Sequence, residues 1–262
     1  VQGRSEVWVG EQSGKTQDRG EVVPATDCVV ACASVAPKGN KKYVALTFDE
    51  GPSGATKQIL QVLKEKGVTA TFFLSGDAAE ASPATAKAIV DAGCEIGSNS
   101  YSDDSLKGQD REAVREQITK GTDAIKSATG VKTMLLRAPY AAFDEQNWID
   151  AMDLVSAVVS WNIDSGDWLL NGADEQVSTV LDSVTPGNIV LLTDRDECAE
   201  QMLEALPQII DGLIADGYKI VTLSDLVKTD TSLSKKLASL TKVTMPKDAV
   251  FPQLAEDEDT TE

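Results

Sequence analysis

The chain has 262 residues, 42% hydrophobic and 5% aromatic, which is long enough for one large α/β domain with a substantial core. Its formal net charge of −18 argues against nucleic-acid binding, which needs a basic surface, and against contact with anionic lipid. No stretch approaches the roughly 20 apolar residues of a membrane helix, so no membrane span is expected in this chain.

Residues 1–42 read as an irregular extension punctuated by Gly3, Gly10, Gly14 and Gly20, with only Val7-Trp8-Val9 and Cys28-Val29-Val30 strand-like. Residues 43–48 are a buried strand, and residues 55–66 carry Ile59, Leu60, Val62 and Leu63 on a helical stripe that stops at Gly67. A strand at 70–74, a helix at 84–92 ended by Gly93 and a strand at 94–97 follow. Val114, Ile118 and Ile125 mark a helix over 111–128. Further strands are expected at 133–137, 155–161, 188–192 and 218–223. Helices are expected around 148–152 and along the stripe Met202, Leu203, Leu206, Ile209, Ile210 and Leu213. Residues 229–262 form a C-terminal extension, and its acidic run at 255–259 reads as a disordered tail.

Strands alternating with helices imply parallel pairing, and near-continuous apolar strands imply that both sheet faces are covered. The chain therefore divides into an extension at 1–42, an α/β domain at 43–228 and a second extension. The four cysteines, Cys28, Cys32, Cys94 and Cys198, fit an exported protein with up to two disulfides, in any of three pairings. The first residue is Val1 rather than Met, as removal of a leader would leave it, although simple trimming gives the same start.

Short polar motifs close several strands: Phe48-Asp49-Glu50-Gly51-Pro52, Gly97 to Asp103, Arg137-Ala138-Pro139-Tyr140, Asp164 to Trp168, and Leu191-Leu192-Thr193-Asp194. A closed barrel gathers such strand ends at one mouth. In order and spacing, over residues 40–228, they resemble the polysaccharide deacetylases, the NodB-homology domain or carbohydrate esterase family four. The resemblance implies a distorted (β/α)7 TIM-like barrel and removal of acetyl groups from N-acetylated glycans such as chitin or peptidoglycan. In that chemistry an Asp-His-His site holds a divalent metal, a neighbouring aspartate is the base and a histidine is the acid.

Carried over by position, Asp49 matches the base, Arg137 and Asp167 its supporting groups, and Tyr140 the oxyanion element through its backbone. Tyr140, Trp168 and Leu192 match substrate-binding positions, with Leu192 a wall of the acetyl pocket. The chain has no histidine, and this is where it departs from the family. Glu50, Asn99 and Asp103 stand at the metal positions, and Thr193 stands at the acid position, where its hydroxyl is not competent. Ala141 replaces a glycine.

Glu50, Asn99 and Asp103 offer only oxygen, whereas zinc favours nitrogen and sulfur. Either no cofactor is expected, or a hard divalent cation, Mg²⁺, Ca²⁺ or Mn²⁺, rather than zinc. Crowded carboxylates at about 4 Å repel by roughly 4 kcal/mol at an effective dielectric of 20, which calls for a cation, a proton or water between them. The expectation is a catalytically degenerate, extracellular or cell-envelope protein that binds a glycan such as peptidoglycan or an N-acetylglucosamine polymer, or serves as a scaffold. The alternative is hydrolysis of acetamides through an oxygen-ligated metal and Asp49.

Overall fold

The computed structural model describes residues 7–12, 28–33, 35–151 and 153–231. In chain order the strands are β1 (Val7–Gln12), β2 (Cys28–Ala33), β3 (Tyr43–Asp49), β4 (Thr71–Leu74), β5 (Glu95–Ser98), β6 (Leu135–Leu136), β7 (Ala157–Val159), β8 (Ile163–Asp164), β9 (Ile189–Thr193) and β10 (Lys219–Ile220). The helices are α1 (Thr56–Lys66), α2 (Gly76–Ala81), α3 (Pro83–Asp91), α4 (Arg111–Thr129), α5 (Glu145–Ala151), α6 (Ala173–Ser183), α7 (Ala199–Ala215) and α8 (Leu223–Thr229).

Seven strands in the order β7-β6-β5-β4-β3-β9-β8 form one curled parallel sheet, a half-barrel with helices outside, of the (β/α)7 type expected. β10 pairs with the start of β3. The two strand-like segments read in the N-terminal extension are strands: β1 and β2 form an antiparallel pair, and β1 joins the edge strand β7 through Val7↔Val159 and Trp8↔Val158. A free sheet edge exposes unpaired N–H and C=O groups, and β1 satisfies some of them.

Strand alternation decides what each side chain meets. In β3, Val44, Leu46 and Phe48 pack outward among Ile59, Leu63, Leu206 and Ile210 of α1 and α7. Phe48 stacks on Phe72 with ring centroids 4.9 Å apart. Ala45 faces the inner cluster with Phe73, Val159 and Leu226. Thr47 and Asp49 share its parity and so line the inside of the curl. Each fully buried Leu, Ile or Phe contributes about 1.5–3 kcal/mol, so the outer cluster supplies most of the driving force, while the inner wall carries polar groups.

Three helices are absent from the sequence reading. α6 buries only Ala173, Gln176 and Val180, a stripe too small and polar to announce itself. α2 is short. α8 begins where the last strand was expected to run on, because the Thr222 hydroxyl accepts the Asp225 N–H and caps a helix. Among the described residues no helix is long and apolar enough to cross a membrane. Cys94 and Cys198 are free and buried. The backbones of Cys28 and Cys32 lie in β2, but the pairing of their side chains, like the start of the chain and the acidic run at 255–259, lies outside what the structure describes.

Candidate functional site

Arg137 follows β6 and is fully buried. Its Nη1 donates to Asp49 Oδ1 at 2.7 Å and to Thr47 Oγ1 at 2.6 Å. Nε reaches the Val159 carbonyl at 3.1 Å, and Nη2 the Ser160 carbonyl at 2.9 Å. The guanidinium also lies over the Phe73 ring, 4.2 Å from its centroid. One buried cation thus ties β3 to the end of β7. Burial pushes the Asp49 carboxyl up, against the pull of Arg137.

Beside it, Asp49 and Thr193 are register partners in β3 and β9. Thr193 is committed to Asp167: its N–H donates to Oδ2 at 2.6 Å and its hydroxyl to Oδ1 at 2.9 Å. Burial raises the Asp167 carboxyl to about 6, although both Thr193 donors pull it down. Next to Asp167, Trp168 is half exposed, and its Nε1 donates to Asp164 at 3.2 Å.

The mouth opens into a cleft of about 300 Å³ lined by Glu50, Ser75, Asn99, Asp103, Asp194 and Arg195, among others. Arg195, in the loop after β9, bridges two of its carboxylates. Nε contacts Glu50 Oε2, and Nη2 is 3.3 Å from Asp103 Oδ2. The Tyr140 hydroxyl donates to the same Asp103 oxygen at 2.6 Å. That bond, with burial and the surrounding charge, pushes the Tyr140 phenol up to about 12. Burial, with Asp103, Asp49 and Asp167 nearby, raises Glu50 to about 7. Near neutrality Glu50 is therefore close to its titration midpoint, and Arg195 is what keeps its ionised form populated.

Close approach and strain hold these loops. Glu50 has φ +75°, Tyr140 +60° and Ala141 +54°, all in the left-handed region that favours glycine. A Cβ on Gly51 would sit 2.1 Å from Asp194 Oδ2, so only glycine fits there. Asp194 itself is buried and accepts from the Ser53 and Thr56 hydroxyls, each at 2.6 Å.

The structure brings Asp49, Arg137, Asp167 and Thr193 together on the inner wall. Glu50, Asn99 and Asp103 share the cleft, and Tyr140 joins it through Asp103. Leu192 requires correction as a pocket wall. It is fully buried in the outer core with Leu46 and Phe48, because Thr193 faces inward and its neighbour in the strand must face outward. Leu191 is the residue on Thr193's face. Sequence reasoning also missed Arg195, whose signal is a lone cation in Asp194-Arg195-Asp196-Glu197 at a strand end.

The metal positions do not fit a family-type metal. They hold no nitrogen or sulfur donor of the kind zinc favours. The Asn99 amide nitrogen is spent on the Arg137 carbonyl at 2.9 Å, and Arg195 already engages Glu50 and Asp103. Among the described residues, no three His, Cys, Asp or Glu side chains are grouped to hold an ion.

The sequence signature described as polysaccharide deacetylase matches residues 36–155. A bifunctional xylanase/deacetylase from Pseudobutyrivibrio xylanivorans is 36% identical over 189 residues, covering 71% of this chain but only 31% of that relative's length. A peptidoglycan-N-acetylglucosamine deacetylase from Bacillus cereus is 33% identical over 217 residues, covering 82% of this chain and 79% of the relative. Among solved structures, a family 4 carbohydrate esterase pseudoenzyme from Bacillus anthracis superposes with a TM-score of 0.68 at 31% identity, covering 74% of this chain and 70% of that one.

Three outcomes follow from the geometry. Arg137→Met leaves Asp49 buried and unpaired and is expected to cost about 3–5 kcal/mol in denaturant unfolding, while Arg137→Met with Asp49→Leu recovers part of it. Ala141→Gly relieves the left-handed strain and is expected to raise stability by about 0.5–1 kcal/mol in the same measurement. Asp167 and Glu50 titrate higher in the folded state than the ordinary 3.8 and 4.5, at about 6 and about 7. The folded chain then holds more protons than the unfolded one between these values. Stability from these groups is present at about pH 4 and lost as pH rises through 6 and 7, and Asp167→Asn and Glu50→Gln should each flatten a thermal melting profile taken across that range.

Proposed function

The chain belongs to the polysaccharide deacetylase family, and from that premise we propose that it is a catalytically degenerate member that binds N-acetylated glycan at the barrel mouth. The observation that carries this reading is Thr193. It stands where the family presents its proton donor, and its N–H and hydroxyl are both spent on Asp167. An aliphatic hydroxyl is far too weak an acid to protonate a leaving amine at neutral pH, and losing a general acid typically costs about 10²–10⁴-fold in rate. The Lewis-acid contribution of several kcal/mol that a zinc ion would supply has no nitrogen or sulfur donors here, and Arg195 already occupies the Glu50 and Asp103 oxygens.

What remains suits binding. Tyr140, bonded to the cleft residue Asp103, and Trp168, next in the chain to Asp167, are exposed by half or more, with Leu169 and Leu170 also exposed. Aromatic faces at a rim match the apolar faces of sugar rings, and the carboxylates and hydroxyls below them match sugar hydroxyls. The relatives that act on peptidoglycan support N-acetylated cell-wall glycan as the ligand class. Such a ligand implies action outside the cell, as a glycan-binding or scaffold module of the envelope.

The test uses N-acetylated chitooligosaccharides and peptidoglycan fragments, with Mn²⁺, Co²⁺, Zn²⁺ or chelator. No metal-dependent acetate release is expected. Release that Asp49→Asn abolishes would contradict the proposal. Calorimetric titration with the same oligosaccharides should give a saturable isotherm, and Trp168→Ala should weaken it by about fivefold, near 1 kcal/mol for one stacking ring. Absence of heat against an active deacetylase as positive control would remove glycan binding from the account.

A further inference from the structure

We infer that the Arg195 guanidinium is a built-in cation occupying the place a divalent ion takes in metal-dependent relatives, so that removing it uncovers a site for a hard divalent cation. The inference rests on the family reading above but not on glycan binding.

Three separate elements converge on this point. Glu50 follows β3, Asp103 lies in the loop after β5, and Arg195 follows β9. The guanidinium joins the other two through Nε and Nη2. Two other carboxylates on the cleft wall are held by hydroxyl and N–H donors instead. Asp194 is held by the Ser53 and Thr56 hydroxyls, and Asp77 by the Ser75 hydroxyl and the Ala78 N–H. Glu50 and Asp103 are the two that take Arg195 as their cation. Asn99 lines the same cleft, and with its amide nitrogen on the Arg137 carbonyl, Oδ1 is its remaining ligand atom.

Electrostatics then explains the substitution. Glu50 and Asp103 are crowded carboxylates, and a positive charge between them relieves their repulsion. A tethered guanidinium does this without leaving when free metal is scarce. It also excludes a divalent ion, because both would need the same oxygens. A hard ion accepts an all-oxygen set of carboxylates and an amide carbonyl, so the obstacle to binding is the guanidinium, not the donor atoms. Arg195 is 46% exposed at its side chain, and exposed ion pairs contribute little to stability, so its replacement leaves the fold in place.

Mn²⁺ serves as the probe, followed by calorimetry and by the electron paramagnetic resonance of the free ion, without glycan present. The full chain should show no saturable site in the millimolar range. Arg195→Ala should gain one site at least tenfold tighter, and adding either Glu50→Gln or Asp103→Asn to Arg195→Ala should abolish it. Arg195→Lys keeps the charge and should stay unable to bind. Thermal melting confirms folding of each variant, and Arg195→Gln replaces Arg195→Ala if the latter melts early. A single Mn²⁺ site in the unaltered chain that Glu50→Gln removes would overturn the inference. So would a folded Arg195→Ala or Arg195→Gln that gains none. Failure here leaves the glycan titration untouched, and failure of that titration leaves this result standing.

Discussion

A fully buried guanidinium fixes the inner wall of this barrel. Arg137 has no contact with water, and an unpaired charge in such a place would cost several kcal/mol. It persists because Asp49, Thr47 and the two carbonyls of Val159 and Ser160 at the end of β7 all turn toward it. The constraint is mutual. Asp49 sits at a single height in the curl, its carbonyl accepts the Asp194 N–H, and the loop carrying Glu50 leaves from that point. The Arg137 carbonyl in turn orients Asn99. Positions assigned to separate steps of one reaction are thereby fixed to one another.

Above this lies a second guanidinium, and the contrast between the two explains the division of labour. Arg137 is dry and structural. Arg195 is partly exposed and contributes little stability, and on the inference drawn above it sets what the mouth can bind by engaging Glu50 and Asp103. The proton donor's place is filled by Thr193 bound to Asp167, so the mouth satisfies its own charges internally. On the function proposed above, a site in that condition holds a ligand rather than activating water. Trp168 and Tyr140 are exposed, and under the proposed function they are the surfaces on which a sugar would rest.

Much of this was legible in the sequence, for physical reasons. Apolar runs ending in Asp49, Arg137 and Thr193 are what buried parallel strands with a polar mouth look like, and period-two alternation sends Thr47 and Asp49 to the same side. The same rule would have prevented the misplacement of Leu192, since a residue adjacent to an inward Thr193 must face out. Arg195 was not legible, because a loop cation acquires meaning only when two distant carboxylates fold against it. The docking of β1 on the sheet and α6 were also hidden, although residues 7–9 and 28–30 read as strand-like. The first is anchored by backbone bonds to an edge strand, which leave no side-chain signature. The second turns Ala173 and Gln176 inward instead of large apolar groups.

The most direct measurement is a crystal structure of the full chain grown with millimolar Mn²⁺ and recorded at a wavelength where manganese scatters anomalously. The account predicts the Arg195 guanidinium between Glu50 and Asp103, with no anomalous peak in the cleft. A peak within about 2.5 Å of oxygens from both carboxylates, with Arg195 swung away, would contradict it.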